Sequence, residues 1–295
     1  MYNMQQKNRA ANQAFYSPTM SNQEFKRFSE FIYAQCGIKM SPAKKAMLTA
    51  RLLKRLRDLG LTSYSEYYDY VSSPHGRSKE LARMIDVVTT NKTEFFREAE
   101  HFDFLTKNVL PLLAGSKQTG NMRRLNIWSA GCSSGEEAYT LAMVLAEFFL
   151  TTRPLDKFAI LATDISTQML ATAKKAIYLK KTVEQVPAMW REKYLMRGKN
   201  SQKELCRVVP ELRNCITFRH LNFMDKDFGI RPSMDIIFCR NVVIYFDQQT
   251  QRKLFEKFYD QLVPGGYLFI GHSESLHGIN ERFQNVDRAM YRKPE

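Results

Sequence analysis

The second half of the chain alternates apolar runs with helical segments. Five runs from about residue 120 onward are as apolar as strands that are buried on both faces: LNIWSAG, KFAILATDIS, ITFRHLNF, MDIIFCRNVVIYF and YLFIGHSE. Three helical segments lie between them: EEAYTLAMVLAEFFL, TQMLATAKKAIY and QQTQRKLFEKFYDQLVPGG, the last closed by Pro-Gly-Gly. This alternation predicts a doubly wound α/β fold with a parallel sheet covered on both faces. The polar, basic stretch from about 180 to 214 breaks the alternation and predicts a small antiparallel β insertion.

The first part of the chain has helical periodicity. SNQEFKRFSEFIYAQCG begins with Ser21 as an N-cap, and Glu24 completes a capping box. SPAKKAMLTARLLKRLRDLG predicts a second helix from the N-cap Ser41 to a stop at Gly60. Two further helices are expected around SYSEYYDYV and KELARMIDVVTT. The inner stripe of the second helix is Met47, Leu48, Leu52, Leu56 and Leu59. The predicted divisions are a disordered tail (1–20), a helical domain (21–88), a linker (89–120) and the α/β domain (121–295).

Composition excludes several classes of protein. The five cysteines are scattered and include no CxxC pair, which argues against a secreted disulfide scaffold and a zinc ribbon. No apolar run approaches the roughly 20 residues of a membrane span. The polar residues 1–20 lack the apolar core of a signal peptide, so we expect a soluble, cytoplasmic protein. The net charge of +14 predicts an acidic partner: nucleic acid, an anionic membrane surface or an acidic protein.

The turn after the first predicted strand, WSAGCSSGEEAY, is the first candidate ligand site. Gly131 and Gly135, with small residues between them, allow a backbone to approach a ligand closely. The turn is not GxGxxG and no GK[ST] follows, so a dinucleotide or a nucleoside triphosphate is disfavoured. Glu136 and Glu137 suit a cationic or hydroxyl-bearing ligand; alternatively, they only complement the helix dipole.

Polar residues also follow the later strands, and ligands of open parallel sheets bind beyond these carboxyl ends. Asp164 in ATDIS can accept hydrogen bonds from ribose hydroxyls, or it is the N-cap of the next helix. Asn222 and Phe223 in HLNFMD can read and cover an adenine, although Phe223 equally fits the core.

The fourth strand runs into polar residues in IIFCRNVVIYFD. Arg240 and Asn241 end the strand, and Tyr245 follows shortly. Together with the glycine turn and the acid after the second strand, they describe a nucleoside ligand without phosphates. S-adenosylmethionine fits, because its amino-acid end and its sulfonium need carboxylates, amides and an Arg.

The predicted linker contains the segment VVTTNKTEFFREAEHF, which is dense in hydrogen-bonding groups. One interpretation is a capped helix that begins at Thr93 and Glu94. The other is a lid that carries Asn91, Thr93 and Arg97 onto the ligand.

Five motifs occur in one order along the chain: TTNKTEFFRE, WSAGCSSGEEAYTLAM, ATDIS, FCRNVVIYFD and GYLFIGHSES. In this order and spacing the chain resembles the chemotaxis receptor methyltransferases, the CheR family, over about residues 21–292. The resemblance implies a class I S-adenosylmethionine-dependent methyltransferase domain with a Rossmann-like sheet, an N-terminal all-helical domain and a small β insertion. It implies methyl transfer to glutamate side chains of chemoreceptors, with S-adenosylhomocysteine as the product. It assigns cofactor contacts to Asn91, Thr93, Arg97, Glu137, Asp164, Asn222, Phe223, Arg240 and Asn241, and it places Tyr245 beside the methyl-transfer path.

Methyl transfer to a glutamate side chain requires little beyond alignment of the carboxylate with the methyl donor. A glutamate side chain has a pKa of about 4.3, so the acceptor is already ionised at neutral pH and can attack the methyl group without a general base. Alignment of two reactants alone lowers a barrier substantially. We expect Arg97 and Tyr245 to be the catalytic residues that orient the acceptor and the methyl donor.

Residues 26–57 carry nine basic side chains against one acid, Glu30. One interpretation is a solvated face. The other is electrostatic docking onto the acidic cytoplasmic methylation helices of a chemoreceptor. No recognition motif in the sequence supports a nucleic acid as the partner of these basic residues. The expected partner-binding residues are Lys44, Lys45, Arg51, Lys54, Arg55 and Arg57.

Metal binding is not expected, because His272 and His277 lie five apart in a loop-like segment. In some CheR proteins a glycine-containing loop of the β insertion helps to bind a receptor C-terminal peptide; here the corresponding run, MRGKNSQKELCRVV, has only Gly198. The alternatives to receptor methylation are a methyltransferase with another acceptor and a non-catalytic sensor of the cofactor. We expect a monomer that does not insert into membranes.

Overall fold

The computed structural model describes residues 18–115, 124–149 and 157–295, and it divides the chain into two compact units. The first unit contains the described residues up to Gln35 together with Lys39–Thr89. The second contains Cys36–Ile38 and the described residues of Thr90–Glu295. The predicted tail lies outside the described residues except for its end, where Met20 is buried, so the packed chain begins slightly earlier than predicted.

The first unit is helical, as predicted. Its helices begin and end where local capping chemistry favours it. Ser21 and Glu24 form the predicted capping box, with the Glu24 N–H donating to Ser21 Oγ (3.1 Å) and the Ser21 N–H donating to Glu24 Oε2 (2.8 Å). Gly60, at φ +69°, ends the second helix in the left-handed conformation that favours glycine. The helices are α1 Asn22–Cys36, α2 Lys45–Leu59, α3 Tyr64–Ser72 and α4 Pro74–Val88.

The start of α2 differs from the prediction. A 3₁₀ turn, Pro42–Lys44, precedes the α-helix, and the Ser41 side chain makes no capping hydrogen bond. The inner stripe is largely as expected: Leu48, Leu52 and Leu56 are buried, whereas the other two predicted members are half-buried.

A charged network lies inside the helical unit. Glu80 of α4 is 1% exposed, and both of its oxygens accept from Arg55, at 2.7 Å from Nε and 2.9 Å from Nη2. The Tyr67 hydroxyl donates to the same carboxylate at 3.0 Å. A buried carboxylate needs such partners, because leaving one charge of the pair alone costs more than the pair contributes.

This network changes the interpretation of the basic face. Arg55 was predicted to point outward, but it is committed to Glu80. Arg51 donates to the carbonyls of Val88 and Thr89 at the end of α4 (2.7 and 2.9 Å). Lys45 donates to the Asn22 side chain, whereas Lys54 and Arg57 are exposed and Lys44 is half-buried.

The second unit contains ten strands within the described residues. They are β1 Leu125–Ala130, β2 Phe158–Asp164, β3 Ile177–Leu179, β4 Leu195–Arg197, β5 Leu205–Val208, β6 Ile216–His220, β7 Met234–Cys239, β8 Leu262–Ile270, β9 Gln284–Asp287 and β10 Met290–Arg292. Seven of them form one sheet in the order β6–β2–β1–β7–β8–β10–β9. The first five strands in this order are parallel, and β10 pairs antiparallel with both β8 and β9. The parallel strands were predicted. The strands β9 and β10 were not.

Successive residues of the central strands enter two different cores. Ile127 of β1 lies in one apolar cluster with helix α7, and the next residue, Trp128, lies in the other with helix α11. Phe238 and Cys239 divide in the same way at the end of β7. Successive side chains of a strand point to opposite faces of the sheet, and both faces are covered here. This explains why these strands are apolar throughout. The helices of this unit are α5 Glu100–Phe104, α6 Leu110–Gly115, α7 Glu136–Phe148, α8 Thr167–Lys175, α9 Ala188–Tyr194, α10 Pro210–Asn214 and α11 Gln248–Gln261.

Two local predictions need correction. The helix α11 ends at Gln261, and Pro264-Gly265-Gly266 lies inside β8 and does not close the helix. Pairing with β7 extends the strand back to Leu262, so tertiary contacts outweigh the local turn signal. The β insertion is a three-stranded antiparallel sheet in the order β3–β5–β4, and it begins at Ile177. Within the described parts of the chain, no helix combines the length and apolar character needed to cross a membrane.

The Glu80–Arg55 pair generates a stability prediction. Replacing Glu80→Ala leaves Arg55 without its buried partner, and we expect a loss of about 3–5 kcal/mol in the free energy of unfolding of the helical unit. Urea titration followed by far-ultraviolet circular dichroism measures it. The control is Glu30→Ala, whose exposed pair with Lys26 spans 3.9 Å and should contribute less than about 1 kcal/mol. Equal losses in the two variants would contradict the role given to Glu80.

Candidate active site

The turn between β1 and α7 forms the floor of the site. Gly131 and Gly135 have φ angles of +87° and +98°, and Ser133 has +49°. A Cβ at Gly131 would lie 2.5 Å from Val242 Cγ2, so this glycine is required by contact with the segment after β7 as well as by its backbone angle. The N–H groups of Gly131 and Cys132 donate to the carbonyl of Thr163 (2.8 and 2.9 Å), which fixes the turn against β2.

Asp164 is the buried acid at the end of β2. Its Oδ2 accepts from the Ser133 N–H and its Oδ1 from the Ser166 N–H, both at 2.8 Å. Ser166, and not Asp164, caps α8, so the N-cap interpretation of Asp164 is wrong. Each carboxylate oxygen has two lone pairs and can accept more than one hydrogen bond.

Glu137 and Arg240 form a buried ion pair between α7 and β7. Glu137 Oε2 accepts from Arg240 Nε at 3.0 Å, and Oε1 accepts from the Ser129 hydroxyl at 2.7 Å. The two side chains are 12% and 2% exposed. Glu136 is buried beside Ser134 Oγ (2.7 Å), and burial raises the pKa of its carboxyl.

The Arg240 guanidinium makes two further contacts. One Nη lies 3.0 Å from His101 Nδ1, and the other donates to the carbonyl of Arg97 at 2.5 Å. Burial and the charges of Arg240 and His272 lower the pKa of His101 to about 3, so this imidazole is neutral and accepts from the guanidinium. The Arg240 side chain is therefore bound to groups of the protein itself. Direct contact between Arg240 and a ligand stays a prediction.

Glu98, His101 and His272 lie together, a grouping that the sequence analysis did not find. Their potential ligand atoms are all within 4.8 Å of one another. A metal ion there would lie close to the Arg240 guanidinium, which opposes a second cation in a buried place. Within the cluster, His101 Nδ1 contacts Arg240, and Glu98 Oε1 accepts from Asn241 Nδ2 and from the His272 N–H.

The linker follows an irregular path over the strand ends. Its first α-helix begins at Glu100, so the predicted capped helix at Thr93 is wrong. Phe95 is buried against Tyr178 (ring centroids 5.1 Å apart), and Phe96 and Glu98 both have φ +53°.

Hydrogen bonds fix both ends of this segment. The Asn91 carbonyl accepts from Ser133 Oγ at 3.0 Å, and the Arg97 carbonyl accepts from Arg240. The Arg97 guanidinium is half-buried and donates to the Lys92 carbonyl at 3.0 Å. The linker thus brings Asn91 and Arg97 to the ends of β1 and β7, and Thr93 lies half-buried between them.

Asn222 and Phe223 occupy the loop after β6. Asn222 Oδ1 accepts from the Met224 N–H at 3.0 Å. This bond fixes the orientation of the side-chain amide, whose NH₂ group is the donor. Phe223 is half-buried at the edge of the second core, with Phe258 5.8 Å away between ring centroids. Lys257 of α11 was not predicted: its ammonium donates to the carbonyls of Phe223 and Asp225, and burial lowers its pKa.

Asn241 and Tyr245 lie in the segment after β7. Asn241 has φ +58°, a left-handed angle that Asn tolerates better than most residues. A 3₁₀ turn, Val243–Tyr245, follows and leaves Tyr245 half-buried. Since β1 is central in the sheet and β7 and β2 flank it, these residues and the glycine turn share one edge of the sheet.

The donor set at this edge fits S-adenosylmethionine. Asp164 offers acceptors for two ribose hydroxyls, and Asn222 with the partly exposed Phe223 offers an amide and an aromatic face for adenine. Glu136 is buried, and Glu137 is 12% exposed with both oxygens bound to Arg240 and Ser129, so they act on the ligand chiefly through the electrostatic environment and through neighbouring groups.

Lys257 provides a test of the adenine side. Replacing Lys257→Met removes both hydrogen bonds to the Phe223–Asp225 loop, and we expect affinity for S-adenosylhomocysteine to fall about five- to ten-fold, the net value of one typical hydrogen bond. Isothermal titration calorimetry measures it. Lys253→Met, an exposed position on the same helix, is the control and should bind as the unmodified protein does. If the two variants bind alike, Lys257 does not support the loop.

Comparison with known proteins agrees with this geometry. The family model described as the CheR methyltransferase SAM-binding domain matches residues 91–292, and the CheR all-alpha domain matches residues 23–89. A chemotaxis protein methyltransferase of Borreliella burgdorferi is 38% identical over 274 residues, or 93% of this chain and 95% of that protein.

Two further relatives show the same extent of similarity. The chemotaxis protein methyltransferase of Escherichia coli K12 is 38% identical over 272 residues, 92% of this chain and 91% of its own length. Chemotaxis protein methyltransferase 2 of Pseudomonas aeruginosa is 37% identical over 284 residues, 93% of this chain and 97% of its own length. The chain therefore belongs to the CheR family and is an S-adenosylmethionine-dependent methyltransferase of chemotaxis.

Proposed function

We propose that the protein methylates glutamate side chains of chemoreceptors, forming glutamate methyl esters and S-adenosylhomocysteine. The observation that carries the proposal is the placement of Arg97. Its backbone is bound to Arg240 at the end of β7, and its guanidinium is half-buried on the linker rather than enclosed in the core. A guanidinium in this position is complementary to a carboxylate acceptor.

Each residue has a specific task in this proposal. S-adenosylmethionine supplies a methyl group on a sulfonium, which an ionised carboxylate can attack directly. Arg97 orients the acceptor carboxylate, and Tyr245 orients the reacting groups from the opposite segment. Arg97 acts more by position than by charge, because a strong ion pair with the acceptor would stabilise the ground state as much as the transition state. Asn91, Thr93, Glu137, Asp164, Asn222, Phe223, Arg240 and Asn241 bind or frame the cofactor.

A labelling experiment tests the acceptor. Purified protein is incubated with S-adenosylmethionine carrying a radiolabelled methyl group and with membranes containing the chemoreceptors of the source organism. We expect base-labile label on the receptor bands, because methyl esters hydrolyse in base. Arg97→Ala and Tyr245→Phe should each lower the rate at least about ten-fold. Arg252→Ala, an exposed position on α11, is the matched control.

The outcomes separate the alternatives. Base-stable label would indicate a methyltransferase with another acceptor. Binding of S-adenosylhomocysteine without any label would indicate a non-catalytic sensor. An unchanged rate in Tyr245→Phe would remove that residue from the mechanism.

We further propose that the exposed basic residues of the helical unit dock onto acidic cytoplasmic helices of the receptor, which places the protein in the cytoplasm. Lys54 and Arg57 lie three apart on α2, so they share a face. Lys44 lies just before this helix. Lys45, Arg51 and Arg55 take a smaller part, because they are half-buried, whereas Lys54 and Arg57 are exposed.

Charge reversal tests the docking surface. The double variant Lys54→Glu/Arg57→Glu should raise KM for the receptor about ten-fold at low salt and leave affinity for S-adenosylhomocysteine unchanged. The difference should shrink as ionic strength rises, because exposed charges are screened. Lys226→Glu/Lys253→Glu, exposed positions of the other unit, makes the same change in net charge and is the control. Equal effects of the two double variants would mean that only the total charge matters.

A further inference from the structure

Two acidic residues hold Asn241 from different directions. The Asn241 side-chain Nδ2 donates to Glu98 Oε1 at 3.2 Å, and its backbone N–H donates to Glu274 Oε2 at 3.0 Å. Neither acid was assigned a role by the sequence analysis, although both lie in motifs that it quoted. Asn241 has a left-handed backbone, a conformation that persists only when surrounding contacts fix it.

Glu274 fixes the backbone just beyond the ends of β7 and β8. It is buried, and besides Asn241 it accepts from the N–H groups of Gly271 (2.6 Å) and Ile244 (3.3 Å). Burial raises the pKa of Glu274, while these backbone donors oppose the rise. The carboxylate thereby connects the end of β8 to the 3₁₀ turn that carries Tyr245.

Glu98 fixes the side chain of Asn241. Its backbone has φ +53°, and its Oε1 also accepts from the His272 N–H at 3.3 Å. Its Oε2 is buried without a hydrogen bond, 3.5 Å from His101 Nδ1. A strained backbone and an unsatisfied carboxylate oxygen both cost stability, so stability alone does not explain Glu98 here.

The amide of Asn241 lies close to the backbone of Gly271. A Cβ at position 271 would lie 2.5 Å from Asn241 Nδ2, so Gly271 leaves the room that the amide occupies. With Nδ2 bound to a carboxylate, the amide oxygen Oδ1 points away from Glu98. The bond to Glu98 uses one of the two Nδ2 hydrogens and leaves Oδ1 as an acceptor.

We propose that Glu98 and Glu274 are positioning residues of the cofactor site. Glu98 sets the amide of Asn241 so that Oδ1 accepts from the ammonium group at the amino-acid end of S-adenosylmethionine, and Glu274 sets the backbone that carries it. This rests on the proposed contact of Asn241 with the cofactor. It does not depend on which acceptor is methylated.

A double-mutant cycle tests the role of Glu98, with S-adenosylhomocysteine binding by calorimetry as the readout. Glu98→Gln lets the amide turn over, since Gln can donate to Oδ1. We expect Glu98→Gln and Asn241→Ala each to weaken binding about ten-fold. The combination should be no weaker than Asn241→Ala alone, because the proposal has Glu98 affect cofactor binding through the Asn241 side chain and not through its bond to the His272 N–H. A merely structural role would give additive losses of about a hundred-fold.

For Glu274, in contrast to Glu98, we expect the loss of affinity to add to that of Asn241→Ala. Because it binds the backbone N–H, Glu274→Gln should weaken binding several-fold both in the unmodified protein and in Asn241→Ala. Glu281→Gln, an exposed position in the same connection, is the control. Calorimetry reports stoichiometry and Kd separately, so misfolded protein lowers the stoichiometry and leaves the Kd unchanged.

The results that overturn the proposal are specific. Binding within two-fold of the unmodified protein in Glu98→Gln would remove Glu98 from the site. The same result in Glu274→Gln would remove Glu274. Product binding needs no acceptor, so failure of glutamate methylation in the labelling experiment would leave this test intact.

Discussion

The rest of the site depends on the buried ion pair between Glu137 and Arg240. It joins the start of α7 to the end of β7, and the same guanidinium holds the carbonyl of Arg97 and the imidazole of His101. Desolvation makes such a pair expensive, and only near-complete hydrogen bonding compensates for it. Arg240 meets this condition, so one side chain sets the positions of the sheet edge, the helix and the linker.

The linker is ordered by two kinds of contact with different roles. Phe95 is buried in the core and fixes where the segment lies, whereas hydrogen bonds from Ser133 and Arg240 fix how its polar residues are presented. Left-handed backbone occurs at Glu98 and Asn241, whose side chains are hydrogen-bonded to each other. Strained conformations persist where the surroundings over-determine them, and here the surroundings are the strand ends that form the cofactor site.

Much of the fold and part of the site were predictable because they are encoded locally. The capping box at Ser21, the stop at Gly60 and the apolar strands follow from short-range chemistry and periodicity. The basic face of α2 shows the limit: its charge pattern is visible in the sequence, but Arg55 is bound to Glu80, 25 residues away. Amphipathic spacing predicts which face is polar, and it does not identify the partner of each charge.

The alternation of strands and helices, the glycine turn and the order of the motifs that place the chain in its family can all be read from the sequence. The strand order, the extension of β8 through Pro264-Gly265-Gly266, and the partners of Arg240 and Asn241 emerge only when the segments pack together. Glu137 is 103 residues from Arg240, and Glu98 is 143 residues from Asn241. Periodicity describes the environment of one element at a time, whereas a buried polar group finds its partner through contacts that form only when distant segments pack together.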